Sequence, residues 1–267
     1  MKHREYLGDD RLRHRIVYEA NESLCIYCGE IATSREHIPS KVFLEEPFPD
    51  NLYLVPACSK CNNSFSQDEL YTWFIIKILE QYSGKCLNEN LEKRSISHPD
   101  IYGKTKKDIS DFAGMFSDDS ALMFEFKSKR IERILEKLAI GHAVYELSEG
   151  YFSGDSEGWQ ALMIKYAFAP ALSQEVMDDF NAINIVNDLL WPEIGSRIYE
   201  NFYAVTFSLN EVNGDNSTSL GGCFFDWVEI QSGVYRYITN FASDEIQVKI
   251  VIDEFLFAEV VYRRHAD

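Results

Sequence analysis

The apolar positions of this chain change period once along its length, from helical spacing before residue 147 to strand-like alternation after residue 198. In NNSFSQDELYTWFIIKILEQY, Leu70, Trp73, Phe74 and Ile78 recur at helical intervals, and Ser66 and Glu69 stand at capping-box spacing. A helix ending near Tyr82 is expected. Residues 128–147 carry the clearest stripe, with Ile131, Ile134, Leu135, Leu138, His142 and Tyr145 on one side. Lys127, Lys129, Arg130, Arg133 and Lys137 fall mostly on the other faces, which reads as a solvated surface ahead of a phosphate-contacting ridge. His142, on the apolar stripe, reads as a core histidine ahead of a ligand. A further helix is expected over 173–190. From Ile198 the runs YENFYAVTFSLNEV, GGCFFDWVEIQ, VYRYITNF, IQVKIVI and FLFAEVVYR are separated by short turns, the pattern of four to five antiparallel strands.

Before the first strong helix the pattern is short and broken. Residues 9–20 read as a helix carrying Arg11, Arg13 and Arg15, residues 30–37 as extended, and IPSKVFLEEPFPD as a loop or short helix. NLYLVPACSKC then gives a short strand ending in cysteines. Residues 83–120 are polar and turn-rich, and read as short helices or a connection. The fold class expected is therefore α+β: a small N-terminal unit over 1–83, then an α+β region over 84–267 made of helices and a C-terminal antiparallel sheet.

With 267 residues, 46% of them apolar and 14% aromatic, the chain can fill a sizeable core. Trp159, Trp191 and Trp227 read as part of that core. Apolar runs such as TWFIIKIL are interrupted by charges well short of the ~20 residues needed to span a bilayer, and the N-terminus has no apolar signal core. A soluble, cytoplasmic protein with no membrane partner is expected. Net charge is −17, but residues 138–267 carry 6 basic and 20 acidic side chains, whereas residues 70–137 carry 12 and 11. Nucleic acid is therefore expected at the N-terminal half, and a protein partner or a second copy at the acidic C-terminal part.

Four of the six cysteines form two C-x-x-C pairs, Cys25 with Cys28 and Cys58 with Cys61. Paired thiolates at this spacing suit a closed, tetrahedral, structural Zn²⁺ site. Cys86 and Cys223 have no partner at ligand spacing and read as bystander thiols. A zinc site alone fits a binding module as well as an enzyme. What separates the two lies between and just after the pairs: Glu36-His37-Ile-Pro39, then Asn51-Leu52, then CSKCNN with Asn62 directly after the last cysteine.

In that order the segment over about residues 25–69 resembles the HNH, or ββα-metal, endonuclease family, in its zinc-stabilised branch. The resemblance implies a metal-dependent endonuclease acting on nucleic acid, with DNA the first expectation. By it, His37 is the general base, Glu36 and Asn62 hold a catalytic divalent cation, and Asn51 pins the loop and orients the histidine. Glu36 stands where the family more often has Asp, and Asn62 where it often has His. Two hard oxygen ligands favour Mg²⁺ or Mn²⁺. Arg35, Lys41 and Lys60 are candidate phosphate contacts, while Glu45, Glu46 and Asp50 would repel a backbone. In a regular strand Glu36 and His37 would face opposite sides, so both reach one phosphate only if the backbone bends there. The alternative is a non-catalytic zinc-binding module that recruits a partner. No glycine-rich phosphate loop or nucleophile elbow follows residue 84.

Overall fold

The computed structural model describes residues 24–49, 52–85, 89–115, 120–147, 159–182, 185–186, 202–210, 217–241 and 245–264. The expected helix over 9–20, with Asp50, Asn51, Cys86 and Trp191, lies outside the described residues.

The first element is a hairpin of β1 (Ser34–Ile38) and β2 (Tyr53–Ala57), paired antiparallel with Glu36 opposite Val55 and His37 opposite Leu54. Pairing stops after Ile38, at Pro39, which has no N–H to offer the ladder. Helix α1 (Ser59–Tyr82) follows β2 at once. Its start is set by Cys58, an extended N-cap residue whose sulfur accepts the Cys61 N–H at 3.3 Å. The helix thus begins at the cysteine pair, seven residues before Ser66. Ser66 is no cap: its hydroxyl donates to the Asn63 carbonyl at 2.9 Å.

From Leu70 to Glu80 every residue of α1 is buried, the pattern of a helix covered on all sides. Helices α2 (Glu89–Ser97) and α3 (Pro99–Ala113) occupy the stretch that had read as short helices or a connection. Pro99 opens α3 where its missing N–H costs nothing. The α3 side chains dock on α1 through Tyr71 OH donating to Asp108 at 2.9 Å and through Tyr102 against Phe74, ring centres 5.3 Å apart. Helix α4 (Lys129–Leu147) lies where the stripe predicted it, between α1, the hairpin and the C-terminal sheet. Its Gly141 marks a close approach: a Cβ there would stand 2.5 Å from Ile38 Cδ1.

The main sheet has five antiparallel strands in the order β3-β10-β9-β8-β7: β3 (Trp159–Phe168), β7 (Val228–Gln231), β8 (Tyr235–Phe241), β9 (Glu245–Ile252) and β10 (Leu256–Arg264). Ile246, Val248, Ile250 and Ile252 of β9 are fully buried at alternate positions, as period two requires. The β9–β10 turn carries Asp253 and Glu254 at φ 57° and 47°, and Lys77 of α1 grips the Asp253 carboxylate at 2.9 Å. Among the described residues one large buried cluster runs from Ile26 to Tyr262, and Cys25, Ala57 and Cys58 form a second, small one.

Three expectations need correction. Helix α5 covers only Gln174–Asn181, because Ala182 is extended and Ile185–Val186 is already strand β4. The run after Ile198 supplies β5 (Phe202–Asn210) and β6 (Ser217–Phe225) to a separate three-stranded sheet, β4-β6-β5, and not to the main one. Strand β3 was not foreseen. Its register against β10 shifts between Val261 and Tyr262, a bulge that breaks the alternation by which a strand is recognised. Among the described residues no helix is long and apolar enough to cross a membrane.

Candidate metal centre

Two loops bring the four cysteines together. Cys25 and Cys28 lie on a tight turn in which the Gly29 N–H reaches the Cys25 carbonyl at 2.9 Å; Gly29, at φ 72°, allows the chain to reverse. Cys58 and Cys61 lie at the start of α1. The four sulfurs lie within 4.8 Å of one another, and Cys28 Sγ is 3.7 Å from Cys58 Sγ. Tetrahedral Zn–S bonds of ~2.3 Å place neighbouring sulfurs ~3.8 Å apart, so the cluster fits Zn²⁺. Cys25 and Cys58 are buried while Cys28 is exposed. The Cys61 N–H donated to its sulfur brings the Cys58 thiol down to about 7, toward the thiolate that a metal needs.

The hairpin places the other candidates relative to this cluster. Strand β1 is regular through Ile38, so Ser34, Glu36 and Ile38 face α1 and α4, whereas Arg35 and His37 face the other side. The bend that would bring Glu36 and His37 to one phosphate does not fall between them: β1 is regular through Ile38 and ends at Pro39. Glu36 and His37 are therefore not brought onto one face. Asn62 is on the Glu36 side, its amide nitrogen 3.4 Å from Ser34 Oγ and 3.5 Å from the Arg35 carbonyl. Arg35, Lys41 and Lys60 are exposed, with Lys41 Nζ over the Phe48 ring at 5.3 Å. Glu45 is held against β7, where Gln231 bonds both its N–H and its carbonyl, at 2.9 and 3.0 Å.

Glu36 is 6% exposed and does not point into solvent. Its Oε1 receives the ammonium of Lys137, which also donates to Glu69 and, at 2.7 Å, to Ser40 Oγ. Ser40 in turn donates to Glu69. Lys137 had read as one of a solvated set of charges, yet it is 1% exposed, since α4 presents it to the hairpin and not to water. Burial pushes the Glu36 carboxyl up, with the Lys137 charge opposing that shift. Glu36 Oε2 and the Tyr27 hydroxyl are both buried without a hydrogen-bond partner among the described residues. What a divalent cation would find here is limited: one orphaned carboxylate oxygen at Glu36, with Asn62 on the same face.

Sequence reasoning missed Lys137 and Glu69. Their charges cannot be assigned to a buried pocket until the angle between α1 and α4 is known. The neighbouring arginines behave differently. Arg130 and Arg133 clasp Asp68 from two sides and lie over the rings of Tyr71 and Phe65. His142 is a core histidine as expected: its ring nitrogens meet the hydroxyls of Tyr53 and, at 2.7 Å, Tyr235. Trp227 packs against Phe180 with its indole N–H on the Asn181 carbonyl.

No family model matches the chain, and no curated protein or solved structure matches it either. The case for a function therefore rests on these residues and on the resemblance of their motif.

Proposed function

We propose that the chain is a metal-dependent endonuclease that hydrolyses phosphodiester bonds of nucleic acid, DNA in the first instance. The observation that supports this most is local: hairpin β1–β2 leads directly into α1, and Asn62 is bonded to the strand face that carries Glu36, beside a four-cysteine cluster that suits structural Zn²⁺. In this reading the zinc holds α1 against the hairpin, so that metal binding contributes folding energy and geometry together. By the resemblance His37, partly exposed on β1, would take the proton from the attacking water; because β1 is regular, it and Glu36 meet at one phosphate only if the strand end shifts when substrate binds. Glu36 and Asn62 would hold Mg²⁺ or Mn²⁺, which neutralises charge on the scissile phosphate when bound. Exposed Arg35, Lys41 and Lys60 would steady the phosphates on either side. The acidic region over 138–267 is assigned to a protein partner or a second copy, since its net negative charge repels a phosphate backbone.

A second reading is favoured by one specific observation. The Lys137 ammonium on Glu36, with His37 on the opposite face, is also what a non-catalytic zinc module with a degenerate motif would show. Nicking of supercoiled plasmid by the zinc-loaded chain with Mg²⁺ or Mn²⁺ separates the two. A nuclease nicks, and His37→Ala loses at least ~100-fold in rate while retaining zinc. A parent that nicks with neither ion, or a His37→Ala variant as active as the parent, favours the binding module.

A further inference from the structure

The three charges behind β1 are Glu36, Glu69 and Lys137, joined through Ser40. A lysine in contact with a would-be metal ligand ought to expel a divalent cation, because like charges in a buried pocket are only weakly screened. Glu69 removes that objection. Lys137 donates to both carboxylates, so Glu69 cancels its charge and the trio keeps one net negative charge. Lys137 also takes only one of the Glu36 oxygens. The other, Oε2, is buried and has no hydrogen-bond partner among the described residues, a costly condition for a carboxylate unless a positive group meets it. The Tyr27 hydroxyl, which feels the charges of Glu36 and Glu69, is orphaned in the same way.

We propose that Lys137 and Glu69 form a charge-balanced positioning pair: Lys137 fixes Glu36 by Oε1, and Glu69 cancels the lysine charge, so that Glu36 Oε2 is left for a divalent cation in a cluster of one net negative charge. The proposal rests on the cation reading given above and deepens it. Neither residue is among those that carry the resemblance. Glu69 lies seven residues beyond Asn62 on α1, and Lys137 comes from α4, in the region over 84–267. That region then supplies part of the cation site.

The test is Mn²⁺ binding to the zinc-loaded full-length chain, read by the electron paramagnetic resonance of free Mn²⁺, with zinc content and melting temperature measured beside it. Glu36→Gln locates the bound ion: affinity should be lost if this carboxylate holds it. Glu69→Gln leaves the lysine charge uncompensated, and its Mn²⁺ dissociation constant should rise roughly tenfold or more with one zinc retained. Lys137→Met combined with Glu69→Gln removes both charges together, and it should bind Mn²⁺ more tightly than Glu69→Gln alone. A Glu69→Gln variant that melts earlier but binds Mn²⁺ as the parent does shows a merely structural role and overturns the proposal while leaving the cation reading intact. So does a double variant no tighter than the single. A parent that binds no Mn²⁺ through Glu36 overturns both.

Discussion

The cysteine-bearing hairpin and the C-terminal sheet are held in place by different physics. The hairpin strands are five residues each, and their outer face, with Arg35 and His37, is not covered as the inner face is. Its inner face sends Ile38, Tyr53 and Val55 into the shared core, and beside it stand four cysteines that could hold a metal such as zinc. The sheet needs no such device. Strand β9 lies between two neighbours and buries Ile246, Val248, Ile250 and Ile252 completely. A region stabilised by a metal can be taken apart with a chelator, whereas a region stabilised by burial yields only to loss of volume. Helix α4 joins the two, with Gly141 against Ile38 and His142 bonded to Tyr53 of β2 and Tyr235 of β8.

The largest effect should come from the metal. Chelation, or Cys58→Ser, should lower the melting temperature by more than any single core truncation, since structural zinc is worth about 10 kcal/mol in small zinc-dependent folds. Hydrogen exchange should locate the loss in β1, β2 and the first turns of α1, with β9 amides still protected. Equal loss of protection in β9 would show that the two regions have no separate supports.

Next in size is Ile250→Ala, which leaves a hole in the fully buried middle strand. A cost of about 2–5 kcal/mol in denaturant melts is expected, with zinc affinity unchanged. Gly141→Ala should cost about 1–3 kcal/mol by driving a methyl into Ile38. Because Ile38 adjoins His37, the same change should also shift the His37 ring signals in an NMR spectrum; a fall in stability without that shift would uncouple the helix from the hairpin.

The smallest and most discriminating effect concerns pH. Burial holds the His142 imidazole well below its ordinary range, while in the unfolded chain it protonates near ~6.5. Below that value the unfolded state binds the extra proton, so this contribution is full above ~6.5 and declines by up to ~1.4 kcal/mol per pH unit on acidification. Asp253, pushed by burial up to about 6, acts in the opposite sense, its folded form holding a proton that the unfolded chain releases above its lower pKa. Melts of the parent and of His142→Gln between pH 8 and 5 separate the two: the variant should lose less stability as pH falls. Parallel curves would mean that the histidine does not report on the junction.

Much of this organisation was legible in residue order. Cys25, Cys28, Cys58 and Cys61 declare a zinc-type cluster by spacing alone, and the stripe from Ile131 to Tyr145 announces α4 and the burial of His142. Alternation gave β8, β9 and β10. The bulged β3 escaped because its period is broken, and α5 ends early because the chain turns extended at Ala182. The side on which each candidate would lie was only half legible. Alternation warns that Glu36 and His37 diverge unless the chain bends, and Pro39, with no N–H, marks the strand end; what packs behind Glu36 was not legible.

The sequence by itself determined the cysteine cluster, the hairpin-then-helix order and the mixed α+β class, because each follows from local spacing and period. Only the tertiary structure decided that Lys137 and Glu69 stand behind Glu36 and that α4 touches hairpin and sheet at once. Charge pairing between residues separated by 68 and 101 positions depends on how helices pack, which no local period encodes.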